Sequence, residues 1–418
     1  MGYPHRYPPT QKGRVEPKPL SSRSYPHKLS TLSRPLKRSN RMNERDISLE
    51  NGEGKDRAGV SRVELESFRN YDALLLDLDP GFNVLAGPNA QGKTNFLEAL
   101  YLLATTRLLR GQRDAEAVKD GAQRARVSAD LIGSGTRLGL TLEKGIRKRA
   151  TLNGASVPRP ADLIGRLPAA AITAFDLEIV RGEPSARRDF LDLEISALSP
   201  AYLRHLTLYK RALEQRNALL RDAREAYVPE DQYEPWEAQI AEHGAKIRES
   251  RRDYVSSLSP EVSSSHTRMG EGEKVSLRYV ERDDAHDETW MLEALARSRG
   301  SDVGRGGTSV GPHRDDLGIL VDGREARLFG SGGQQRTAVI ALKLGTLEYA
   351  RGILGTPPLL LLDDILSDLD ARRRAILSEI VLERAGQAVL TCTEAEAAGE
   401  RILREARVYH VRAGEVTS

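Results

Sequence analysis

The chain has 418 residues, of which 39% are hydrophobic and 5% aromatic, so any core must consist mainly of Leu, Ala, Val and Ile. No apolar run approaches the length of about 18 residues that a membrane-spanning helix needs. The single cysteine, Cys392, excludes a disulfide framework and a cysteine-based metal site. We therefore expect a cytoplasmic protein without a membrane segment, in keeping with a reducing compartment.

The net charge of +3 is unevenly distributed. Residues 1–45 hold eleven of the 63 Lys and Arg residues and two of the 60 Asp and Glu residues, which leaves 52 and 58 for the rest. Any affinity of the folded part for a polyanion must therefore come from a local patch. Residues 1–59 contain seven of the 20 prolines and no apolar periodicity, which predicts a disordered basic extension. It could contact nucleic acid, result from a start codon placed too far upstream, or have another role.

Short Leu- and Val-rich runs bounded by Asn, Asp, Pro and Gly predict β-strands after residue 60. The first predicted strands are residues 62–68, 74–78, 82–86, 127–131 and 138–142. Between the third and fourth of them, apolar residues recur at helical spacing and predict an amphipathic helix over residues 93–104.

From about residue 200 the pattern changes to long amphipathic helices, predicted over residues 202–226 and 235–258. A predicted strand at 274–280 and a Gly-rich stretch at 300–307 follow. Strands and helices then alternate again, at residues 317–321, 334–351, 359–362, 388–390 and 408–411. A long helical segment therefore interrupts an α/β pattern.

A phosphate-binding loop is predicted between the third strand and the helix that follows it. The residues match G-x-x-x-x-G-K-[ST]: Gly87, Pro88, Asn89, Ala90, Gln91, Gly92, Lys93 and Thr94. In such a loop the backbone N–H groups and the helix N-terminus converge on phosphate oxygens. Lys93 would reach the β- and γ-phosphates of ATP, and the Thr94 hydroxyl would bind Mg²⁺. A simple glycine turn between strand and helix is the alternative.

Two acids, Asp363 and Asp364, end the apolar strand at residues 359–362, which is the layout expected for a Walker B strand. Asp363 would hold Mg²⁺ through water, and Asp364 would polarise the attacking water. Alternatively, the acids only end the strand and cap the next helix. Thr391 and Thr393, at the end of the last buried strand, are both candidates for sensing the γ-phosphate or ordinary strand residues.

A second anion-binding helix start is predicted at Ser331, Gly332, Gly333 and Gln334. Ser331 occupies an N-cap position, and the small residues beside it let a phosphate approach the exposed N–H groups of the helix. An ordinary capped helix with a flexible glycine turn is the alternative. In a chain with a single P-loop, this second site is the informative feature.

In this order, the P-loop, the signature and the two-acid strand resemble those of the ABC and SMC-like ATPases. Among these, the chain resembles the RecF family over roughly residues 61–411. The likeness rests on residues 68–71 (Phe-Arg-Asn-Tyr), 87–95, 187–192, 311–316 (Gly-Pro-His-Arg-Asp-Asp) and 331–336. The string at 311–316 separates the RecF family from ABC ATPases in general.

The resemblance implies an α/β fold: an ABC-type P-loop ATPase head with an inserted, mainly helical lobe and no long coiled coil. We divide the chain into a basic extension (1–59), the N-terminal part of the head (60–175), the inserted lobe (176–300) and the C-terminal part of the head (301–418). The resemblance also implies that the signature binds the γ-phosphate of the opposite subunit, so that a symmetric homodimer encloses two ATP molecules.

The implied function is ATP-dependent DNA binding in recombinational repair, DNA replication and the SOS response. The family resemblance implies action at single-strand gaps and single-strand/double-strand junctions, with RecO and RecR, to help load RecA. It implies a weak, DNA-stimulated ATPase that uses ATP and Mg²⁺.

Several further residues follow from the resemblance or depart from it. Arg69 becomes a candidate phosphate contact, whereas His313 and Arg314 match the family string without an assigned chemistry and could simply be structural. Asp364 stands where most ABC ATPases have Glu, and this shorter carboxylate predicts slow hydrolysis. No Q-loop glutamine occurs near Phe175.

Three other functions fit parts of this pattern. A transporter's ATPase subunit would leave the string at 311–316 and the helices at 200–258 unexplained. Another SMC-like head, such as a nuclease-associated ATPase, would show long heptad arms or a carboxylate cluster for metal. A GTP-using switch would carry a guanine-specific N-K-x-D motif, which the sequence lacks.

Overall fold

The computed structural model describes residues 58–110, 113–270, 272–367 and 369–418. The predicted disordered extension lies outside this part of the chain, apart from its last two residues. Among the described residues, no helix has both the length and the apolar character needed to cross a bilayer.

The strands, in chain order, are β1 (Val60–Phe68), β2 (Tyr71–Asp77), β3 (Phe82–Ala86), β4 (Arg124–Leu131), β5 (Arg137–Glu143), β6 (Ile146–Leu152), β7 (Ala155–Ser156), β8 (Ala169–Ile172), β9 (Val275–Val280), β10 (Asp316–Val321), β11 (Arg324–Glu325), β12 (Leu359–Asp363), β13 (Ala388–Cys392), β14 (Ala406–Arg412) and β15 (Glu415–Thr417). The helices are α1 (Lys93–Thr105), α2 (Leu177–Arg181), α3 (Pro184–Leu198), α4 (Pro200–Asp222), α5 (Glu234–Met269), α6 (Glu288–Arg305), α7 (Ala326–Phe329), α8 (Gly332–Leu354), α9 (Ala371–Arg384) and α10 (Glu400–Glu405).

The central layer is a sheet with strand order β15-β14-β3-β13-β12-β8, in which all pairs are parallel except β14–β15. Its middle strands are buried on both faces, since successive residues such as Val84 and Leu85 belong to different hydrophobic clusters. Burial on both faces explains why these strands are continuous apolar runs rather than alternating ones.

A second, antiparallel sheet has the order β2-β1-β4-β5-β6-β7. Its strands alternate, with Val63 and Leu65 buried and Glu64 and Glu66 exposed, so that only one face is covered. The buried face shares a hydrophobic cluster with α1, including Phe96. This packing places the P-loop helix between the two sheets.

The helices α2 to α6 form most of the segment predicted as the inserted lobe. The strand β9 follows α5 and pairs with β10, which lies beyond residue 301, in a small sheet of order β11-β10-β9. The longest helix, α5, packs on α8 so closely that a Cβ at Gly345 would lie 3.0 Å from the backbone nitrogen of Val262. The domain boundaries remain predictions.

Some elements differ from the sequence prediction. Helix α5 continues through Pro260 to Met269, eleven residues beyond the predicted end, because its contact with α8 outweighs the local cost of proline. The Gly-rich stretch at 300–307 is mostly the end of α6, which stops at Gly306 in the left-handed conformation. Helix α3 and strand β6 were not predicted.

Candidate nucleotide-binding site

The carboxyl ends of β3, β13 and β12 meet at one edge of the parallel sheet. Ala86 pairs with Cys392, and Thr391 pairs with Asp363, so the loop that leaves β3 lies beside the ends of both other strands. Ligands of open α/β sheets bind outside such carboxyl ends. The predicted P-loop and the two Walker B acids, which are far apart in the sequence, therefore come together here.

The predicted P-loop joins β3 to α1. Lys93 is the first residue of α1, and its ammonium donates to the carbonyl oxygens of Gly87 (2.6 Å) and Pro88 (2.9 Å). The lysine charge is therefore held inside the curve of the loop. Gly92 has a φ of 120°, and a Cβ at this position would lie 2.7 Å from Asn70 Nδ2. Both the backbone angle and the close approach require glycine.

Two distant turns support the loop. In the β1–β2 turn, Asn70 Nδ2 donates to Gln91 O (2.9 Å), and the Tyr71 hydroxyl donates to Gly92 O (3.0 Å). In the β14–β15 turn, the backbone N–H of Ala413 donates to Gln91 Oε1 (2.7 Å). The Phe-Arg-Asn-Tyr string, which the sequence marked only through the family likeness, thus acts as a support of the P-loop.

The Arg69 guanidinium is paired within the chain, and its contact with phosphate stays a prediction. Its guanidinium donates to both carboxylate oxygens of Glu98 (2.7 and 3.0 Å) and to the carbonyls of Arg110 and Glu116. Glu98 is fully buried in α1, where an unpaired carboxylate would be costly. Neutralising that charge occupies the arginine and fastens the β1–β2 turn to the P-loop helix.

Asp363 is the centre of the Walker B end. Its Oδ1 accepts hydrogen bonds from the hydroxyls of Thr94 and Thr391, both at 2.8 Å. Burial raises the pKa of Asp363, and the bonds from Thr391 and Thr94 oppose that rise. The Thr94 hydroxyl and the Asp363 carboxylate lie side by side and are hard oxygen ligands, which fits the predicted Mg²⁺ ligands.

Asp364 is held differently from its neighbour. Its φ of 52° lies in the left-handed region, its N–H donates to Thr391 Oγ1 (3.0 Å), and its Oδ1 accepts from Ser367 (2.7 Å). Such backbone strain in a non-glycine residue is concentrated at functional sites. The role of Asp364 as the group that polarises water stays a prediction, as does the choice between Thr391 and Thr393 for sensing phosphate.

The predicted signature opens α8 as a capping box. Ser331 Oγ accepts from the N–H of Gln334 (3.2 Å), and Gln334 Oε1 accepts from the N–H of Ser331 (2.8 Å). Ser331, Gly332 and Gly333 are all exposed. Gln334 Nε2 also donates to Glu273 Oε1 (3.2 Å), and the glycines of the turn stay accessible.

A short segment joins the nucleotide edge to the signature helix. It follows β8, the neighbour of β12, and begins with a capping turn in which the N–H of Thr173 donates to Asp176 Oδ2 (2.7 Å). Helix α2 follows, and Arg181 Nε donates to Gln335 Oε1 (2.6 Å) in α8. Gln335 in turn donates to the carbonyl of Ala326 (2.9 Å). These bonds connect the two regions at the place where the sequence lacks a Q-loop glutamine.

The acids of the string at 311–316 bind lobe residues. Asp315 is fully buried and accepts from Arg248 of α5 (2.7 and 2.8 Å) and from the Tyr279 hydroxyl (2.6 Å). Asp316 accepts from Arg187 of α3 (2.7 and 3.0 Å). The string therefore fastens α3, α5 and β9 to one another.

His313 and Arg314 of the same string have structural contacts. His313 accepts from the Tyr209 hydroxyl at Nδ1 (2.6 Å) and donates from Nε2 to Thr308 O (2.9 Å). Burial lowers the pKa of His313 to about 4, so the ring is neutral at physiological pH. Arg314 donates to the same carbonyl of Thr308. The structural interpretation of both residues is supported.

The structure thus brings residues 87–94, Asp363 and Asp364 to one edge of the parallel sheet. The signature, residues 331–334, starts a helix that packs on α5 and α2. Within the described part of the chain, no hydrogen bond links the signature residues to the P-loop. In addition, no group of three or more His, Cys, Asp or Glu residues suited to a metal occurs there.

Residues 59–417 match the family model described as the RecF/RecN/SMC N terminal domain. The chain is 41% identical over 372 residues to the DNA replication and repair protein RecF of Symbiobacterium thermophilum, covering 85% of this chain and 97% of the relative. It is 38% identical over 356 residues to the protein of the same name from Moorella thermoacetica, covering 85% and 95%.

A solved structure described as the recombination mediator protein RecF–ATP in the RecFOR pathway superposes with a TM-score of 0.78. It is 29% identical in sequence and covers 88% of this chain and 99% of that chain. The mixed α/β ATPase-head fold that the family resemblance implied is confirmed by this likeness.

Proposed function

The chain belongs to the RecF family of SMC-like ATPases, and on that premise we propose that it is an ATP-driven DNA clamp of recombinational repair. In this proposal ATP joins two copies of the chain, and the dimer binds DNA at single-strand gaps and single-strand/double-strand junctions. The RecFOR description of the superposed structure supports work with RecO and RecR. In the proposal, this work helps to load RecA. The relatives' names support a role in DNA replication and repair.

The observation that carries the proposal is the exposed signature turn on a chain that has its own P-loop. Ser331, Gly332 and Gly333 present the N-terminus of a 23-residue helix to solvent, where N–H groups and the helix dipole favour an anion. A symmetric pair of chains would place each signature against the nucleotide of the other. Each ATP would then touch both subunits and favour the dimer.

The P-loop supplies the first half of each pocket. Lys93 would exchange the carbonyls of Gly87 and Pro88 for phosphate oxygens, keeping its charge inside the loop. Thr94 and Asp363 would hold Mg²⁺, which would supply positive charge to the β- and γ-phosphates. Asp364 would orient the attacking water. Because its side chain is shorter than Glu, we expect weak hydrolysis, stimulated when DNA orders the dimer.

Nucleotide must supply enough differential affinity to drive this switch. Shifting the population from 1% dimer to 99% dimer requires the nucleotide to bind the dimer more favourably than the monomer by about 5.5 kcal/mol. Two triphosphates that each bridge both subunits provide the contacts for such a difference, whereas a ligand that binds both states equally shifts nothing. Hydrolysis would then release the clamp from DNA.

The dimer is tested by light scattering of the purified chain, with and without Mg-ATP. We expect the mass to double with ATP. Lys93→Ala should remain a monomer because it no longer binds ATP, while Ser331→Arg should bind ATP normally and still remain a monomer. A Ser331→Arg protein that dimerises with ATP would refute the role of the signature.

DNA binding is tested separately on gapped and uniform duplexes, with and without ATP. We expect tighter binding to the gapped substrate in the presence of ATP. Equal affinity for both substrates under all conditions would contradict the proposed preference for gaps, even if the dimer forms.

A further inference from the structure

One end of the antiparallel sheet carries an unusual excess of positive charge. Five exposed cations, here called the basic patch, lie on β4, β6 and the β5–β6 turn: Arg124, Arg126, Lys144, Arg147 and Arg149. Strand register brings Arg126 and Arg149 to either side of Thr141, and the N–H of Lys144 donates to Gln123 O, next to Arg124. The backbones of β4 and β6 are therefore about 10 Å apart, which is two strand spacings.

The opposite end of the same sheet provides a contrast. There, Arg62 pairs with Asp77, and Arg137 pairs with Asp130 and Glu64, so each cation has an acidic partner. This end is an ordinary solvated face in which positive and negative side chains alternate.

In the basic patch, the acids Glu66 and Glu143 bind Arg126 and Arg149. The three remaining cations have no ion-pair or side-chain hydrogen-bond partner among the described residues: Arg124, Lys144 and Arg147. A folded segment whose overall charge is negative thus concentrates unpaired cations at one place, which is what a polyanion surface requires.

The sheet surface next to the patch carries small and polar residues. Thr141 lies between Arg126 and Arg149, and Thr151 lies two residues beyond Arg149 on β6, where it pairs with Gly139, so that the two threonines form a short hydroxyl row. Gly139 leaves room for the Thr151 side chain, which lies where a Cβ would otherwise be. Ser and Thr hydroxyls together with Arg and Lys are the side chains that contact phosphate and sugar in nucleic-acid complexes.

The patch is also connected to the nucleotide site. Lys148, within the same hairpin, donates to the carbonyl of Thr106 (2.7 Å) and to Asp114 (2.9 Å). Thr106 caps the C-terminus of α1, the helix that begins at Lys93 of the P-loop. One helix of 13 residues, about 20 Å long, therefore runs from the phosphate-binding loop to a contact with the β5–β6 hairpin near its turn.

We propose that the basic patch and the neighbouring hydroxyl row bind the phosphate backbone of DNA. This inference rests on the proposed DNA-binding function and identifies the surface that performs it. Contacts of this kind are independent of base sequence, and they weaken with salt because bound counterions are released. Helix α1 connects this surface to the nucleotide site.

The test compares two double variants with the same change in charge. Lys144→Gln/Arg147→Gln removes two unpaired cations of the patch, and Arg62→Gln/Arg137→Gln removes two cations from the opposite end of the sheet. Affinity for gapped DNA is measured by fluorescence anisotropy with Mg-ATP across a series of salt concentrations. Melting temperature and ATP-dependent mass show that each variant folds and dimerises.

We expect the patch variant to lose roughly tenfold to a hundredfold in affinity at 0.1 M salt, and its salt slope to fall by about 2, since each phosphate contact contributes about 0.9. The control variant should change by less than about threefold. Equal losses of DNA affinity in both variants would indicate an effect of net charge and would refute the proposed role of the basic patch. Unchanged affinity in both variants would refute it as well. A wild-type protein that binds no DNA would instead refute the proposed function and the inference together.

Discussion

At the nucleotide edge, several polar groups are held by residues distant in the sequence: Thr94 bonds to Asp363 across 269 residues, and Asn70 bonds to Gln91 across 21. At the signature turn, Ser331 and Gln334 bond to each other across three residues. The first region is preorganised by the whole fold. The second is ordered by its own capping box and presents its glycines to solvent.

This difference indicates how the two half-sites work. A P-loop held by many tertiary bonds can bind nucleotide in a single chain, so its affinity depends on the fold around it. In the proposed dimer, the exposed signature turn would contribute only when the second copy of the chain reaches it. The bond between Arg181 and Gln335 connects the signature helix to the segment that follows β8, the strand beside Walker B.

Asp363→Ala should have the largest effect of the changes considered, because Asp363 accepts from both Thr94 and Thr391. We expect single-turnover ATP hydrolysis to fall about a thousandfold, which equals about 4 kcal/mol. Nucleotide binding without Mg²⁺ should change little, since Lys93 and the loop backbone remain. Hydrolysis at the wild-type rate would contradict the assignment of Asp363 as a Mg²⁺ ligand.

Asp315→Ala should destabilise the inserted lobe without altering the ATP site. Removing this buried acid leaves Arg248 partly unpaired and should lower the free energy of unfolding by about 3 kcal/mol. The exposed neighbour Asp284→Ala serves as the control, with a change below about 0.5 kcal/mol. Urea unfolding measures the stability of both variants. Equal stabilities would contradict the proposal that residues 311–316 hold α3, α5 and β9 together.

Tyr71→Phe removes a single hydroxyl group and tests whether Tyr71 supports the P-loop. Loss of the hydroxyl leaves the Gly92 carbonyl without this donor, and we expect about 1 kcal/mol, or roughly fivefold, weaker ATP binding. Tyr227→Phe, at a residue that is 87% exposed, is the matched control. Isothermal titration calorimetry measures the ATP affinity of both variants. Identical affinities would show that the β1–β2 turn does not affect nucleotide binding by the P-loop.

His313 should make the lobe sensitive to acid. Its pKa of about 4 lies below the value of about 6.5 expected when unfolded, so the unfolded state binds the proton first as pH falls below 6.5. Stability should therefore drop between pH 7 and pH 5.5, with about 1 kcal/mol of the loss due to His313. His313→Gln should reduce this loss, and the exposed His410→Gln should not. Denaturant titrations at both pH values check the difference.

The motifs and most elements were predictable from the sequence alone. The P-loop, the Walker B strand and the signature depend on short-range spacing, and each is a local chemical requirement: a turn of glycines, an apolar strand ending in acids, a serine cap. Strands β3 and β12 and helices α1 and α8 were located for the same reason, since burial dictates their apolar pattern.

Only the tertiary structure assigned the partners of those motifs. Nothing local indicates that Tyr71 supports Gly92, that Arg69 neutralises Glu98, or that Asp315 binds Arg248. These contacts join residues that are neighbours only after strands pair and helices pack. Helix α5 likewise passes Pro260 because it is packed on α8, an effect of burial that outweighs local propensity.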